Sequence, residues 1–311
     1  MATPLIIAHR GASGYRPEHT LASYELAARL GAEFIEPDLV STRDGVLVAR
    51  HEPEIGGTTD VAEHPEFADR RRTSRIDGTD VTGWFAHDFT LAELRTLRAR
   101  ERIPDVRPRN TRFDGRFAVP TFEDILGLAG RLTAELGRPI GVYPETKHPS
   151  YHAALGLPLE PPLVAALRRA GLTAPNSPVF VQSFEVTNLQ ELRDELGVPL
   201  VQLLEARGCP ADGTARYAEL LTPIGLKDVA RYASAIGPDK TLVTRDLVES
   251  AHAAGLDVHP WTFRAEARFR PCDVPDLVTE LTDYFALGVD GVFTDNTDAA
   301  VFARAQFHTA G

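Results

Sequence analysis

Short apolar runs that end in polar residues alternate along this chain with amphipathic stretches of helical length, and this alternation restricts the fold most. Leu5–His9 is the first such run, and it is followed by a stretch that begins at Thr20 and stops at Gly31. Thr20 can cap a helix that places Leu21 and Tyr24 on one face. A repeated strand–helix order predicts a parallel sheet or a barrel.

The number of these units approaches eight, and a (β/α)8 barrel needs about 250 residues, fewer than the 311 of this chain. Further extended segments are predicted at 33–40, 45–51, 139–145, 178–183, 199–204, 255–261 and 291–295. Helices are predicted at 121–136, 161–170, 186–196 and 274–287. Another unit lies within 226–243, where the pattern gives no clear strand. The fold class predicted is α/β, a TIM barrel in one domain over 1–311.

The surplus residues lie at 55–117, where the rhythm gives way to polar and charged sequence with an arginine-rich run at 98–112. A structureless loop of that length is improbable in a compact domain. We therefore expect an inserted subdomain after the second strand, a lid over the catalytic end, with a helix at 91–100. The arginines are expected to be solvated, with binding of an anionic head group or membrane face as the alternative.

Charge and composition exclude some classes of function. A net charge of −11 argues against a non-specific nucleic-acid binder, although a few local cations can still bind a small phosphorylated substrate. No apolar stretch could span a bilayer, and the start leaves no room for a leader. We expect a cytoplasmic protein, or a periplasmic or secreted one if a leader was removed. Cys209 and Cys272 are far apart, so free buried thiols are expected.

Carboxylates occur in pairs within apolar, strand-like runs. Glu36 and Asp38 are two residues apart, as are Glu145 and Lys147, and side chains at that spacing on a strand point the same way. A buried carboxylate that is neither paired nor bound to a metal is costly. Three carboxylates at one end of a barrel suit a single hard divalent cation, Ca²⁺ or Mg²⁺. Of the two, we expect Ca²⁺. A purely salt-bridged cluster is the alternative.

Two histidines and two cations accompany these carboxylates. His9 and His51 end apolar runs, and imidazoles titrate near neutrality, so one can take a proton while the other gives one. Core histidines bonded to backbone are the alternative. With Arg10, Lys147, three carboxylates and a divalent cation, the site would carry one net positive charge. Such a site favours a phosphodiester monoanion and, more strongly, its dianionic transition state.

Short motifs extend this pattern over nearly the whole chain. They are, in order, H-R-G-A-S-G-Y-R-P-E-H-T from residue 9, E-x-D from 36, the histidine at 51, P-E-T-K from 144, Q-S-F from 182, H-P-W-T-F-R from 259 and G-V-F-T-D from 291. Each motif alone is weak, but the ordered set is specific. It resembles the glycerophosphodiester phosphodiesterase family, and most closely the bacterial periplasmic type.

The resemblance implies a TIM barrel with an insertion after the second strand, and it implies roles for particular residues. These are metal ligation by Glu36, Asp38 and Glu145, acid–base catalysis by His9 and His51, and phosphate binding by Arg10 and Lys147. Glu18 would organise the site through Arg10 or His9. Gln182 and Trp261 would line the pocket, Trp261 as an apolar wall for glycerol carbons. Ordinary packing at the barrel mouth is the alternative for Glu18, Gln182 and Trp261.

The activity implied is metal-dependent hydrolysis of a small-molecule glycerophosphodiester to glycerol 3-phosphate and an alcohol. The nucleophile could be water or the glycerol 2-hydroxyl, and either histidine could be the acid. One alternative is phospholipase D-like cleavage of a lysophospholipid or sphingolipid head group, which the polar insertion disfavours. Another is a barrel without catalytic activity that binds phosphodiesters, although such proteins normally lose a ligand or a histidine.

Overall fold

The computed structural model describes residues 3–213 and 215–310. Its strands are β1 (Leu5–His9), β2 (Phe34–Glu36), β3 (Asp38–Ser41), β4 (Leu47–Ala49), β5 (Arg72–Ile76), β6 (Thr79–Gly83), β7 (Gly141–Val142), β8 (Glu145–Thr146), β9 (Val181–Ser183), β10 (Leu200–Leu204), β11 (Ala235–Pro238), β12 (Asp257–Val258) and β13 (Gly291–Thr294). Its helices are α1 (Leu21–Arg29), α2 (Leu91–Leu94), α3 (Phe122–Leu136), α4 (Pro149–Ala154), α5 (Glu160–Arg169), α6 (Val186–Glu195), α7 (Tyr217–Leu220), α8 (Pro223–Val229), α9 (Arg245–Ala253), α10 (Leu277–Leu287) and α11 (Thr297–Ala310).

The parallel strands close into the predicted TIM barrel. β1 lies between β13 and β2, while β8 to β12 pair in sequence order, with β3 next to β8. β2 and β3 form one barrel strand, which is interrupted at Pro37 because proline has no N–H for the ladder. β7 and β8 form the next barrel strand. Two backbone hydrogen bonds join the last two strands: the Asp290 N–H donates to the Val258 carbonyl oxygen at 2.9 Å, and the Phe293 N–H donates to the Pro260 carbonyl oxygen at 3.0 Å.

The predicted helices at 121–136, 161–170, 186–196 and 274–287 are confirmed within a few residues. Thr20 caps α1 by accepting the Ser23 N–H, as expected, and Thr121 caps α3 in the same way. The predicted helix at 91–100 is too long, because α2 ends at Leu94. Beyond it the chain turns to extended pairing, in which Ala99 bridges Thr59.

Apolar side chains fill the barrel interior below its catalytic end. Ile7, Phe34, Tyr143, Val201 and Phe293 form one buried cluster, to which Ala235 also belongs. The rings of Phe34 and Tyr143 meet edge to face with centroids 6.0 Å apart. Close packing here supports the strand ends that carry the polar site.

Gly141 is a position where this interior packing excludes a side chain. A Cβ there would meet the ring of Phe34 and lie 2.8 Å from the Pro178 carbonyl oxygen. We expect Gly141→Ala to lower the free energy of unfolding by about 1–3 kcal/mol, the usual cost of overpacking. Gly130→Ala, in the middle of α3 with no atom within 4 Å of its Cβ, should instead stabilise by about 0.5–1 kcal/mol. Urea denaturation of both variants measures the difference, and a stable Gly141→Ala would contradict the packing argument.

The chain at 55–117 forms short elements rather than a long loop. β5 and β6 make an antiparallel hairpin, and 3-10 turns cover Val61–Glu63, Pro65–Arg70, Ala86–Asp88 and Asn110–Phe113. A separate apolar cluster, which includes Phe67, Phe89 and Leu97, packs against Val40 of β3 and Val48 of β4. The segment is thus built on the second barrel strand and the β4 strand that pairs with it.

The structure also bears on the expectations about membrane spans and about the two cysteines. None of the helices within 3–213 and 215–310 is both long and apolar enough to cross a membrane. Cys209 and Cys272 are free, as predicted, but both thiols are exposed, so the expectation of buried thiols was wrong.

Candidate active site

A cavity of about 90 Å³ lies at the carboxyl ends of the barrel strands, where TIM barrels carry their active sites. Nine of the ten residues singled out from the sequence line it: His9, Arg10, Glu36, Asp38, His51, Glu145, Lys147, Gln182 and Trp261. The tenth, Glu18, lines an adjoining cavity of about 180 Å³, which shares His9 and Arg10 with the first. Strand register explains this grouping, since His9 pairs with Glu36 and Asp38 with Glu145.

The three carboxylates form a buried cluster. Glu36, Asp38 and Glu145 each offer an oxygen within 4.8 Å of the others. Directly after β1, Arg10 adopts a left-handed conformation (φ 57°), and its N–H donates to Glu36 Oε2 at 2.7 Å. Gln182 Nε2 donates to Glu36 Oε1 at 3.1 Å. These contacts hold the carboxylate of Glu36 toward the other two.

Crowding of like charges perturbs these carboxyl groups. Burial, Asp38 and Glu145 raise the pKa of Glu36 well above its ordinary value. Burial raises the pKa of Glu145 to about 8, with Asp38 adding to the rise and Lys147, whose Nζ lies 2.8 Å from Glu145 Oε1, opposing it. Burial alone would raise the pKa of Asp38, but Lys147 and His19 hold it well below its ordinary range. Crowding within the cluster therefore favours protonation of Glu36 and Glu145 when no cation compensates their charge.

Asp38 is oriented by a histidine that the sequence did not single out. His19 Nε2 contacts Asp38 Oδ2 at 2.9 Å, and His19 Nδ1 contacts the Tyr24 hydroxyl at 2.7 Å. The other oxygen, Asp38 Oδ1, is buried and has no hydrogen-bond partner among the residues at 3–213 and 215–310. One oxygen of Asp38 is thus fixed while the other remains available to a ligand.

His9 and His51 each pair with a carboxylate through Nδ1. His9 Nδ1 lies 2.6 Å from Asp295 Oδ1, and His51 Nδ1 lies 2.5 Å from Glu52 Oε2. A carboxylate on Nδ1 fixes the tautomer and leaves Nε2 for chemistry. Burial and Arg10 lower the pKa of His9 to about 4. Burial, Arg10 and Lys147 lower that of His51 to about 3.

Glu18 contacts Arg10 rather than His9. Arg10 Nη1 donates to Glu18 Oε2 at 3.1 Å, and Arg102 donates to both Glu18 oxygens, at 2.8 and 2.7 Å. Arg10 Nε also lies 3.5 Å from Asp38 Oδ2, an ion-pair contact without hydrogen-bond geometry. Glu18 therefore positions Arg10. The expectation that the arginines at 98–112 are solvated was wrong for Arg107, which is buried, and only partly right for Arg102, whose side chain is 28% exposed but ion-paired.

Trp261 and Phe184 form part of the apolar wall of the cavity, which Leu203 and Phe293 also line. The rings of Trp261 and Phe184 meet edge to face at 5.8 Å, and the Trp261 indole N–H donates to the Gly237 carbonyl oxygen at 2.7 Å. The indole is thereby fixed where it lines the cavity. Arg264, the last residue of the H-P-W-T-F-R motif, also lines the cavity, and its Nε lies 3.0 Å from Asp295 Oδ2.

Sequence reasoning missed His19, Glu52, Arg102, Arg107, Arg264 and Asp295. Signals existed for some of them: Glu52 follows His51 directly, and Asp295 and Arg264 end motifs that were quoted without a role for those residues. Nothing in the local sequence distinguishes Arg102 or Arg107 from the neighbouring arginines. Their importance depends on contacts with residues far away in the chain.

The family described as glycerophosphoryl diester phosphodiesterase matches residues 9–299 of this chain. A glycerophosphodiester phosphodiesterase of Arabidopsis thaliana is 35% identical, over 94% of this chain and 84% of the relative. The crystal structure of a protein from Silicibacter pomeroyi superposes with a TM-score of 0.73 at 23% identity, covering 99% of this chain and 95% of the other. An Oleispira antarctica phosphodiesterase, solved with its product sn-glycerol-3-phosphate, has a TM-score of 0.67 at 20% identity, covering 97% and 96%.

Proposed function

The chain belongs to the glycerophosphoryl diester phosphodiesterase family, and we propose that it hydrolyses glycerophosphodiesters to glycerol 3-phosphate and an alcohol. The observation that carries the proposal is one cavity lined by two histidines, three carboxylates, Arg10 and Lys147. Together these groups can bind a phosphodiester anion and move protons on both sides of it.

Glu36, Asp38 and Glu145 suit a divalent cation as their common ligand. Their oxygens lie within 4.8 Å of one another, and Asp38 Oδ1 is buried without a hydrogen-bond partner among the described residues. Hard cations prefer carboxylate and amide oxygens, and Ca²⁺ accepts irregular ligand sets more readily than Mg²⁺. We favour Ca²⁺ for that reason. When bound, the cation would supply Lewis-acid polarisation of the phosphoryl group.

Arg10 and Lys147 are the proposed phosphate ligands. Both side chains are buried and line the cavity, and each is held by a carboxylate, Glu18 for Arg10 and Glu145 for Lys147. Charge-assisted hydrogen bonds from such fixed donors strengthen as the phosphate becomes dianionic in the transition state. The apolar face of Trp261 would accept the glycerol carbons.

His9 and His51 are the proposed proton carriers. One imidazole takes the proton of the nucleophile as its oxygen bonds to phosphorus, and the other gives a proton to the departing alkoxide oxygen as its P–O bond breaks. The lowered pKa values of both histidines favour the neutral imidazole, so either ring has a free nitrogen that can accept the proton. The negative charge of a bound substrate favours the imidazolium form of the other, which then serves as the donor.

Product analysis tests the activity directly. Purified protein supplied with Ca²⁺ and glycerophosphocholine is expected to release glycerol 3-phosphate and choline in equal amounts. Formation of phosphocholine and glycerol would place the cleavage on the other side of phosphorus and contradict the proposal. If the protein binds glycerophosphocholine tightly but hydrolyses neither this substrate nor bis(p-nitrophenyl) phosphate, the alternative of a phosphodiester-binding barrel without catalytic activity would be favoured.

Acylated substrates are expected to react more slowly than deacylated ones. Among the described residues, the large apolar side chains that are exposed are Leu21, Leu155, Ile224 and Phe302. None of these four lines the active-site cavity, so the mouth lacks an exposed apolar rim for an acyl chain. Rates for glycerophosphocholine and monomeric lysophosphatidylcholine, compared as kcat/KM, measure the preference. A higher value for the lysolipid would favour the phospholipase D-like alternative.

A further inference from the structure

The two histidine–carboxylate pairs of the active site are joined by one short piece of the chain at 55–117. Arg107 Nη2 donates to Asp295 Oδ2 at 2.5 Å, opposite the oxygen that contacts His9. Arg102 Nη1 lies 2.8 Å from Glu52 Oε1, opposite the oxygen that contacts His51. Each carboxylate is thus held on one side by a histidine and on the other by an arginine.

The residues 101–110, which we call the arginine clamp, are themselves fixed. Glu101 Oε1 accepts the Ile103 N–H at 3.0 Å, and Asn110 Nδ2 donates to Glu101 Oε2 at 2.8 Å. The Arg107 N–H donates to the Ile103 carbonyl oxygen at 2.9 Å, which closes a turn between the two arginines. Arg102 and Arg107 therefore reach the two pairs from one rigid turn.

Both arginines have their donors directed by further partners. Arg107 also donates to Glu266 Oε1 at 2.5 Å and to the Ser13 carbonyl oxygen at 2.9 Å. Arg102 also donates two hydrogen bonds to Glu18, the carboxylate that holds Arg10. Because their other donors are fixed, each guanidinium presents the nitrogen that contacts Asp295 or Glu52 in a defined place.

Charge adds to this geometric effect. Burial would raise the pKa of Asp295, but Arg107, Arg264 and His9 keep it well below its ordinary value. Burial would likewise raise the pKa of Glu52, but the hydrogen bond with His51 and the charge of Arg102 lower it to about 2. Ionised carboxylates stabilise an imidazolium on their Nδ1 side, which is the state a histidine passes through when it moves a proton.

Building on the proposed function, in which His9 and His51 carry protons, we infer that Arg102 and Arg107 are positioning residues, which hold both histidines in register for the reaction. Through these contacts, the arginine clamp of the polar segment at 55–117 fixes the orientation of both histidines that carry protons. Neither arginine lines the 90 Å³ cavity that holds the carboxylate cluster, although both line the adjoining 180 Å³ cavity. Their contacts with Glu52 and Asp295 are therefore the route by which we expect them to act on the two histidines.

Steady-state kinetics of Arg102→Gln and Arg107→Gln on glycerophosphocholine test the inference. Removing a residue that orients a reactive group typically costs about 10–100-fold in activity. We expect such losses in kcat for each variant. In Arg107→Gln the KM should change by less than about threefold, since Arg107 contacts neither proposed phosphate ligand. Arg102→Gln also frees Glu18, which holds Arg10, so its KM should rise as well. Each variant should fold, because Asp295 keeps Arg264 and His9, and Glu52 keeps His51. Arg107→Lys keeps the charge without the fork and should show an intermediate kcat.

A matched control lies two residues before Arg102. Arg100 pairs with Glu63 at 2.5 Å and contacts neither histidine–carboxylate pair, so Arg100→Gln should keep the kcat of the parent protein. Losses in Arg102→Gln and Arg107→Gln no greater than in Arg100→Gln, at equal melting temperature, would overturn the inference. If His9→Ala and His51→Ala also keep full activity, the proposed function fails as well, so the two failures are distinguishable.

The leaving group gives a readout that a purely structural role would not change. The p-nitrophenyl diester of glycerol 3-phosphate releases a stable phenolate that needs no proton. The variant whose histidine is the proton donor should therefore recover most of its loss on this substrate, while the other variant should not. Equal losses on both substrates in both variants would show that proton delivery is unaffected, and would overturn the inference.

Discussion

Replacing His9 or His51 by alanine is expected to lower kcat on glycerophosphocholine by about 10²–10⁴-fold, the usual contribution of a positioned acid or base. Both side chains line the same cavity, and each has a carboxylate on Nδ1 that leaves Nε2 for proton transfer. The two effects should not add, since one proton is taken and one given within the same displacement. The kcat of the double variant is expected to be about equal to that of the less active single variant.

A third histidine–carboxylate pair supplies the control for this prediction. His252 Nε2 lies 2.8 Å from Asp290 Oδ2 on the surface, away from the cavity. His252→Ala removes a comparable ion pair and should leave kcat unchanged. Circular dichroism and melting temperature establish that His9→Ala and His51→Ala remain folded. Full activity in either of them would refute the assignment of these two histidines as proton carriers.

The first half of the site could be predicted because its information is local. Glu36 and Asp38 alternate along one strand, so the sequence alone directs them to the same side. The strand rhythm then brings Glu145 beside Asp38, since the carboxyl ends of neighbouring parallel strands coincide. Even the interruption at Pro37 leaves both side chains in the cluster, because the strand resumes at once.

The second half depends on closure of the barrel and could not be read from spacing. His9 and Asp295 are 286 positions apart and meet only because β13 returns beside β1. Arg107 is 188 positions from Asp295, and in the sequence it looks like any other arginine of the polar segment. Burial of an arginine follows from its partners, which a single sequence does not reveal. The same limit explains why Arg102 was expected in solvent.

Glu36→Gln is expected to abolish stabilisation of the protein by a divalent cation while leaving the stability of the metal-free protein at pH 7 nearly unchanged. Burial, Asp38 and Glu145 raise the pKa of Glu36 well above its ordinary value, which favours the neutral carboxyl form when no cation is bound. Glutamine has almost the same shape and is also neutral. A cation that binds to Glu36 displaces the carboxyl proton and then contacts a negatively charged oxygen. Glutamine cannot supply that negative charge.

Thermal melts with Ca²⁺ or Mg²⁺, after treatment with a chelator, measure this prediction. At a cation concentration 100 times Kd, the parent protein should gain about 2.7 kcal/mol, and Ca²⁺ should act at lower concentration than Mg²⁺. Chelation should also abolish turnover, which added cation restores. Glu185→Gln replaces another buried carboxyl group, one that accepts hydrogen bonds from Ser150 and lies outside the cluster, and it should keep the full cation response. An equal response in Glu36→Gln would mean that the cation binds elsewhere, because a ligand set that loses one of three carboxylates cannot retain its affinity.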